Sequence, residues 1–443
     1  MSTTFHSLRY FNYRLWFTGA LVANIGTWIQ RVAQDWLVLT QLSEDSGLAV
    51  GIVTALQFAP TLLLSPYAGV LADRLPRRQM LMATQGAMGV LAGGLGALVL
   101  SGNAELWHVY LFALGLGVVS AFDSPVRQTF VAEMVPAKSL PNAVGLNSAS
   151  FNAARLIGPG AGGLLIAAVG PGWAFLINAV SFGATIFSLS LMRRAELHEM
   201  PHSGRSKGQV RAGLAYVRHR TDILVIMVVM GVVSAFGLNF QLTSAVMARE
   251  VFDKGASGYG ILGSIMAIGS LAGALMAARR KHPRVRLVIG SAFAFGVLAG
   301  VMALMPTYET YAISTIAVGF ASLTMMTAAN TVIQMSTEPA MRGRVMSLYM
   351  MVLLGSTPIG APLVGWVSEA FGARWSIGVG AIASLLVATV AAVWTKRTWQ
   401  VKVTYELRPR PHVTLTGPGE RRARELARAD LARQDAQHSS HVA

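Results

Sequence analysis

The sequence of 443 residues contains no cysteine and few charged residues. The absence of cysteine excludes disulfide bonds, thiolate metal sites and cysteine nucleophiles. No G-x-x-x-x-G-K-[ST] sequence is present, so nothing indicates ATP as an energy source. Hydrophobic residues make up 53% of the chain and charged residues 13%, whereas soluble domains carry about 25% charged residues. This composition predicts a protein that lies in a membrane.

Long hydrophobic runs follow one another along most of the chain. A helix needs about 20 residues, at a rise of about 1.5 Å each, to cross the ~30 Å hydrocarbon layer of a bilayer. Twelve segments meet this length: 15–39, 49–72, 79–100, 106–124, 142–169, 173–192, 223–247, 259–278, 287–305, 311–334, 345–367 and 375–394. The first is too long for a signal-peptide core and lacks a cleavage site, so we expect it to be retained. The sequence therefore predicts an all-α membrane protein with twelve transmembrane helices.

Basic residues outnumber acidic ones by 36 to 20, and the two kinds occur in different loops. The loops after even-numbered spans form the basic face and include Arg74, Arg77, Arg78, Arg193, Arg194, Arg205, Lys207, Arg211, Arg218, Arg220, Arg279, Arg280, Lys281, Arg284 and Arg286. The loops after odd-numbered spans form the acidic face and include Glu44, Asp45, Glu105, Glu250, Asp253, Glu309 and Glu369, against Arg249, Lys254 and Arg374. Because cytoplasmic loops carry an excess of Lys and Arg, the basic face and both termini are predicted to be cytoplasmic. This distribution accounts for the formal net charge of +16 without nucleic-acid binding.

The sequence also shows an internal repeat. A shift of 202 residues pairs Leu146 with Leu348, Gly163 with Gly365, Gly170 with Gly372, and Trp173 with Trp375. A shift of 204 residues places residues 69–73 on residues 273–277, where the aspartate is missing. Chance matches among many glycines are the alternative explanation. We predict two pseudo-symmetric halves of six helices, residues 1–192 and 222–398, with a cytoplasmic linker at 193–221 and a polar cytoplasmic tail at 399–443.

The linker and the tail carry three further patterns. In the linker, Val210, Leu214 and Val217 recur at helical spacing among arginines, which predicts an amphipathic helix on the inner leaflet. Residues 198–202 match the H-E-x-x-H zinc pattern, but Pro201 disfavours the required helix and no third ligand is evident, so we predict no metal site. Residues 420–434 of the tail contain too few large apolar side chains to form a core. They are predicted to be a solvated helix or a disordered extension.

Ionisable residues inside spans are candidates for function because they are costly in hydrocarbon. In the first span Asn24, Trp28, Arg31 and Asp35 lie on one helical stripe. Two interpretations remain open: a structural ion pair between Arg31 and Asp35, or a role in proton coupling or substrate binding, with Asp35 as the leading proton carrier. In the fifth span Ser148, Asn152, Arg155 and Pro159 share a face in the same way, which directs Arg155 toward an internal cavity.

A basic turn lies between the second and third spans. Its residues are Gly69, Asp73, Arg74, Pro76, Arg77 and Arg78. This spacing resembles the loop between helices 2 and 3 of the major facilitator superfamily, G-x-x-x-D-R-x-G-R-R, except that Pro76 stands where the family usually has Gly. The resemblance implies a cytoplasmic gate, which includes the i, i+4 pair Asp123 and Arg127 and faces the start of helix 11 near Gly343 and Arg344. The alternative is that these arginines only fix the topology.

The fifth span carries a second resemblance to the same superfamily. Gly158, Pro159, Gly162 and Gly163 resemble a fifth-helix motif that the family associates with antiporters, which implies export. Simple close packing of helices is the alternative, since small residues allow helices to approach. The helix-4 motif R-x-x-x-G is absent after Arg127, so no proton-coupling role is assigned to that residue.

Three stretches, residues 24–36, 122–128 and 342–349, are similar to the subgroup that includes enterobactin exporters and macrolide efflux proteins. The resemblance implies a secondary active transporter, not an enzyme, that exports amphiphilic small molecules or drugs in exchange for protons. Dedicated export of one endogenous metabolite, such as a siderophore, is the alternative, and a non-transporting membrane sensor is a third hypothesis. The walls of the cavity are expected to include some of Phe58, Phe151, Phe236, Phe240, Met325, Met335, Tyr349 and Met350.

The resemblance also predicts the setting of the protein. We expect a monomer in the bacterial cytoplasmic membrane whose partners are the lipid bilayer, its small-molecule substrate and protons. No cofactor, metal or nucleic acid is expected, and the proton gradient is the expected driving force.

Overall fold

The computed structural model describes residues 3–198, 209–278, 284–398, 402–406 and 412–416. The chain divides into two compact units, Met1–Leu385 and Leu386–Ala443. The first unit consists almost wholly of helices. The second contains the end of the last helix and a two-stranded hairpin.

Six long helices occupy the chain before the linker. They are α1 (Phe11–Leu37), α2 (Gly47–Arg74), α3 (Arg77–Leu100), α4 (Leu106–Phe130), α5 (Leu140–Val169) and α6 (Pro171–Ser190). Helix α2 begins where the Ser46 hydroxyl accepts a hydrogen bond from the Ala49 N–H, which satisfies one of the free donors of the first turn. Helix α1 packs against α5 and α6, α3 packs against α6, and α2 packs against α4.

The described residues of the linker and of the following part of the chain contain nine α-helices. They are α7 (Gln209–Arg218), α8 (Thr221–Phe236), α9 (Phe240–Val246), α10 (Ala256–Ala278), α11 (Val285–Ala303), α12 (Tyr308–Ser336), α13 (Pro339–Gly355), α14 (Thr357–Phe371) and α15 (Ala373–Thr398). The predicted seventh span is interrupted between α8 and α9, next to Gly237. The eleventh is interrupted between α13 and α14, where Pro358 lacks an N–H to continue the helical hydrogen bonds.

Within the described residues, eleven helical segments are long and apolar enough to cross a membrane. The first predicted span is the twelfth long helix, α1, which falls outside that set because Asn24, Gln30, Arg31, Gln34 and Asp35 lower its hydropathy. The predicted all-α membrane fold is confirmed.

The turns after α1 and after α9 have the same backbone geometry. A short π-helical turn follows each helix, at Val38–Leu42 and Met247–Val251. The Asp45 N–H then donates to the Leu39 carbonyl at 2.8 Å, and 209 residues later the Lys254 N–H donates to the Ala248 carbonyl at 2.7 Å. This equivalence supports the predicted repeat, while the division into two halves remains a prediction.

Two glycines that the sequence repeat pairs also have matching conformations. Gly170 ends α5 with a φ of 86°, and Gly372 ends α14 with a φ of 95°. Both values lie in the left-handed region that side chains other than glycine rarely adopt. The shift of 202 residues therefore aligns equivalent helix ends.

Helices before and after the linker meet through small residues. Helix α5 packs against α10, and α2 packs against α14. A Cβ at Gly260 would fall on the carbonyl oxygen of Pro159, and one at Gly365 would fall on the carbonyl oxygen of Gly47. Side chains at these positions would therefore hold the backbones apart.

The hairpin after α15 was not predicted from the sequence. Strand β1 (Lys402–Glu406) pairs antiparallel with β2 (His412–Thr416), with Lys402 opposite Thr416. The β-branched and aromatic residues of both segments are a strand signal. The tail residues 420–434 lie outside the described residues, as does the greater part of the predicted zinc-like sequence at 198–202.

The linker contains the predicted helix, and Arg220, just after this helix, anchors it through hydrogen bonds. Helix α7 packs against α13, and Val217 is buried while Leu214 is exposed. The Arg220 guanidinium donates to both carboxylate oxygens of Asp222, at 2.9 and 2.7 Å, and to the Ser336 carbonyl at 2.8 Å. The hydrogen bonds to Asp222 raise the pKa of Arg220. This network joins the linker to α8 and α12.

We expect Arg220→Met to destabilise the protein by about 2 kcal/mol, because the charge-assisted hydrogen bonds are lost and Asp222 keeps no partner there. The apparent melting temperature of the purified protein in detergent should fall by a few degrees. Arg218→Met is the matched control, since the Arg218 side chain is exposed. Equal melting temperatures for the two variants would contradict the expectation.

Candidate functional site

Asp35 is buried near the end of α1 and is bound by a residue from α10. Its side chain is only 6% exposed, and the Tyr259 hydroxyl donates to Asp35 Oδ2 at 2.9 Å. The rings of Trp36 and Tyr259 stack with centroids 6.2 Å apart. The only carboxylate of α1 therefore takes part in a contact between helices on either side of the linker.

The ion pair between Arg31 and Asp35, one of the two interpretations of the α1 stripe, is not formed among the described residues. Among the described residues, no ion pair joins Arg31 to a carboxylate, although Asp35 still attracts it at longer range. The Asp35 carboxylate faces Tyr259, whereas the Arg31 guanidinium lies over the rings of Trp28, at 4.9 Å, and Phe58, at 5.9 Å. Spacing along the helix brings the two residues to one side but does not fix where their side chains point.

Arg31 and Arg155 lie close enough to repel each other across α1 and α5. The Arg31 Nε atom is buried and has no hydrogen-bond partner among the residues that the structure describes. Trp28 and Phe151 meet edge to face at 6.2 Å. We call Trp28, Arg31, Phe58, Phe151 and Arg155 the arginine site.

The arginine site combines cationic and aromatic groups. Within the described part of the chain, neither Arg31 nor Arg155 forms an ion pair. Guanidinium groups bind carboxylates and phosphates in a bidentate manner, and aromatic faces bind apolar groups. The site can therefore hold an amphiphile with a negative charge.

Four other residues predicted to bind substrate or line the cavity are not part of the arginine site. Asn24 lies half-buried on the predicted α1 stripe. The Asn152 side chain donates to the Ser148 carbonyl of its own helix at 2.8 Å. Met325 and Tyr349 are fully buried, so they pack the bundle rather than line an open wall.

The predicted fifth-helix motif divides into two faces. A Cβ at Gly158 or Gly162 would meet α1, at Trp28 and Ile29 respectively. Pro159 and Gly163 instead contact α10, near Gly260. The Gly160 N–H donates to the Ser264 hydroxyl of α10 at 3.0 Å. The motif thus places α5 against α1 and α10 at once, and its link with antiport stays a prediction.

The predicted pair between Asp123 and Arg127 is confirmed, with 2.9 Å between Oδ2 and Nε. Asp123 also accepts hydrogen bonds from the Thr84 hydroxyl at 2.7 Å and from the Gln85 amide at 2.8 Å. Thr84 and Gln85 were not predicted as partners of Asp123. Their position one turn inside the third span, facing a charged fourth span, is the signal that was available.

Two other residues of the predicted gate, Arg77 and Arg78, also bind partners in the part of the chain before the linker. Arg77 pairs with Glu133, and Arg78 donates to the carbonyls of Leu189 and Ser190 at 2.7 and 3.1 Å. The side chains of Gly69, Asp73 and Arg74 lie outside what the structure describes. Among the described residues, the ion pairs and hydrogen bonds of Arg77, Arg78, Asp123 and Arg127 all lie between α3 and α6, and none reaches the start of α13, which the gate was expected to face.

On the acidic face, polar contacts join segments before and after the linker. Asp45 pairs with Arg249 at 3.1 Å. Glu369 Oε1 accepts hydrogen bonds from the Leu48 N–H at 3.1 Å and from the Ser46 hydroxyl, at the start of α2. We call these five residues the acidic-face latch. From the sequence, Asp45, Arg249 and Glu369 were predicted only to lie on the acidic face.

Of the zinc-like sequence the structure describes only His198, so the expected absence of a metal site at 198–202 stays a prediction. No cluster of three His, Asp or Glu side chains suited to a metal occurs in the described part of the chain. The His198 N–H donates to the Glu133 carbonyl at 2.8 Å, which attaches the start of the linker to the loop after α4.

Comparison with known proteins gives consistent matches over most of the chain. The profile of a family described as transmembrane secretion effector matches residues 2–415. The chain is 24% identical over 386 residues to the staphyloferrin A transporter of Staphylococcus aureus, covering 85% of this chain and 94% of that protein. It is 28% identical over 391 residues to the multidrug efflux pump Tap of Mycolicibacterium fortuitum, covering 84% and 93%.

Solved structures show the same fold. A bacterial homolog of the human lysosomal transporter Spinster, in an inward-facing and unoccupied conformation, superposes with a TM-score of 0.66 at 16% identity, covering 87% of this chain and 96% of that one. A POT family transporter superposes with a TM-score of 0.68 at 12% identity, again covering 87% and 96%. At these identities the likeness concerns the fold alone.

Proposed function

Since the chain belongs to the transmembrane secretion effector family of the major facilitator superfamily, we propose that it exports amphiphilic small molecules in exchange for protons. Membership of the family confirms the resemblance found in the sequence. The chain is a multi-pass membrane transporter and not an enzyme.

The observation that carries proton exchange is the hydrogen bond between Asp35 and Tyr259. A buried carboxyl inside a transmembrane helix is costly when charged and is a default candidate for a proton relay. The bond spans α1 and α10, so it must break when the helices before and after the linker separate on the acidic face. Protonation of Asp35 is thereby tied to the conformation of the transporter, which is the requirement for coupling.

The acidic-face latch supports alternating access. With the latch closed, Asp45 is held to Arg249 and Glu369 to the start of α2. Because the basic face is rich in Lys and Arg, we place it and both termini in the cytoplasm. With that orientation, the described conformation is closed toward the outside. Export then requires the latch to open as the helices before the linker rock against the helices after it. The proposed unit is a monomer, driven by the proton gradient without a cofactor.

The test is accumulation of a fluorescent cationic dye in an efflux-deficient bacterial host that produces the protein, with and without a protonophore. We expect lower accumulation than in the empty-vector host, and we expect the protonophore to remove the difference. Equal accumulation in both hosts, with the protein present in the membrane, would contradict broad export of cationic drugs.

The arginine site favours a second candidate, dedicated export of an anionic metabolite such as a siderophore. The site contains two arginines, Arg31 and Arg155, and the Arg31 guanidinium lies over the aromatic rings of Trp28 and Phe58. A relative of this chain is a staphyloferrin A transporter. In that case the dye result is negative, and a strain that lacks the protein retains a carboxylate- or phenolate-bearing compound that the parent strain releases into the medium.

A further inference from the structure

A cavity of about 430 Å³ lies on the basic face, away from the arginine site. Its walls include Arg9, Phe11, Asn12, Arg193 and His198. These residues come from the segment before α1, the start of α1 and the segment after α6. None of them belongs to the arginine site, the predicted gate or the acidic-face latch.

Aromatic rings hold the arginines of this cavity in place. The Arg193 guanidinium lies 4.3 Å from the centre of the Phe11 ring. Arg9 lies 4.8 Å from the centre of the Tyr10 ring and donates to the Tyr10 hydroxyl at 2.7 Å. Hydrogen bonds with Ser139 and Arg9 lower the pKa of Tyr10. Both guanidinium groups are therefore pre-organised at the rim of the cavity.

The backbone around the cavity is fixed by long-range hydrogen bonds. The buried Asn12 side chain donates to the Arg193 carbonyl and accepts from the Arg193 N–H, both at 2.9 Å. These bonds join α1 to the segment after α6. Met134, which is only 2% exposed, forms the inner wall of the cavity. The shape of the cavity is thus fixed by contacts within the fold.

The charges that face the cavity are mainly positive. Arg9, Arg193 and His198 line it, and Arg14 lies 5.8 Å from the Phe11 ring. Among the described residues that line it, Glu196 is the one carboxylate, and it pairs with Arg193 at 2.9 Å where both side chains are well exposed. An exposed pair of this kind contributes little, so an incoming anion can replace Glu196.

Exposed apolar side chains come shortly before the cavity-lining Arg193 along the chain. They are Phe187, in the last turn of α6, and Leu191, just after that helix. Apolar side chains exposed on a membrane helix contact acyl chains, and a basic pocket beside them suits an anionic headgroup.

We propose that this cavity binds the phosphate group of an anionic phospholipid, with Arg9 and Arg193 as its ligands and the acyl chains beside Phe187 and Leu191. The chemistry of recognition, guanidinium to phosphate, is shared by free phosphate. The acyl contact distinguishes the two sources. The site is independent of the proposed transport function.

The purified full-length protein in detergent tests the proposal by titration with phosphatidylglycerol, with phosphatidylcholine of the same acyl chains, and with inorganic phosphate, followed by native mass spectrometry. We expect phosphatidylglycerol to bind about tenfold or more tightly than the other two. The double variant Arg9→Gln with Arg193→Gln should lose this preference. The control, Arg218→Gln with Arg342→Gln, removes the same charge from exposed basic-face positions and should keep it.

Three results would overturn the proposal. They are equal binding of the two lipids, unchanged preference in the Arg9 and Arg193 variant, and binding of inorganic phosphate as tight as that of phosphatidylglycerol. The last would assign the cavity to a soluble phosphate compound. Folding of each variant is checked by its melting temperature without lipid, and the salt dependence of lipid binding to the unmodified protein gives a second measurement that needs no variant.

Discussion

Replacing Asp35 by asparagine is expected to abolish pH-driven export while the protein remains folded in the membrane. Asparagine has nearly the shape of aspartate, and its carbonyl oxygen still accepts the hydrogen bond from Tyr259. It cannot take up and release a proton. The coupling free energy between two ligands of one protein, here the proton and the cargo, is about 1–3 kcal/mol. The ratio of cargo concentrations across the membrane should therefore fall by about tenfold when this coupling is lost.

Proteoliposomes with an imposed pH difference give the measurement. Cargo and proton fluxes are recorded together with a fluorescent substrate and a pH-sensitive dye. Glu309→Gln removes one carboxylate from an exposed position on the acidic face and should leave both fluxes unchanged. Downhill exchange of cargo should survive in Asp35→Asn. If that variant still concentrates cargo with the original pH dependence, another group carries the proton.

The number and approximate bounds of the helices could be predicted because the bilayer imposes one length on every span. Helix α1 was expected at 15–39 and is found at Phe11–Leu37. A prediction from the length of hydrophobic runs treats each run as one helix. It therefore did not find the helix breaks near Gly237 and Pro358. Local glycine and proline were the signals for these breaks, but many helices of this chain contain such residues without breaking.

The partner of Asp35 could not be predicted from spacing. Periodicity along α1 placed Arg31 and Asp35 on one stripe, so an ion pair between them was one of the two interpretations left open. The actual partner, Tyr259, is 224 residues away and lies on another helix. Which helices meet is decided by packing between them, and a single sequence contains no direct signal for that.

The glycines of the fifth span were predictable as sites of close approach, whereas their partners were not. Residues four apart on α5 share a face, so Gly158 and Gly162 form one contact and Pro159 and Gly163 another. The structure shows α1 behind the first pair and α10 behind the second. The acidic-face latch was missed for the same reason, since Asp45 and Arg249 come from distant loops.

Replacing Gly163 by leucine is expected to hold the transporter open on the acidic face. A Cβ at Gly163 would fall on the Ala256 carbonyl and press on Gly260, and these are backbone atoms that no rotamer change can move. Overpacking at such a contact costs about 1–3 kcal/mol, so the closed state should lose about tenfold in population. Export should fall by a similar factor, because the cycle requires the closed state.

The absence of cysteine makes this shift directly measurable, since a single introduced thiol has no background. Ser368 is 1% exposed at the contact between α2 and α14, and Ser368→Cys is nearly isosteric. We expect a membrane-impermeant maleimide to label this cysteine slowly in the otherwise unmodified protein and about tenfold faster with Gly163→Leu. Gly183→Leu is the matched control, because a Cβ at that exposed position of α6 meets open space. Equal labelling rates with Gly163→Leu and Gly183→Leu would show that the α5–α10 contact does not govern closure, and gating would then depend on the polar bonds of the latch alone.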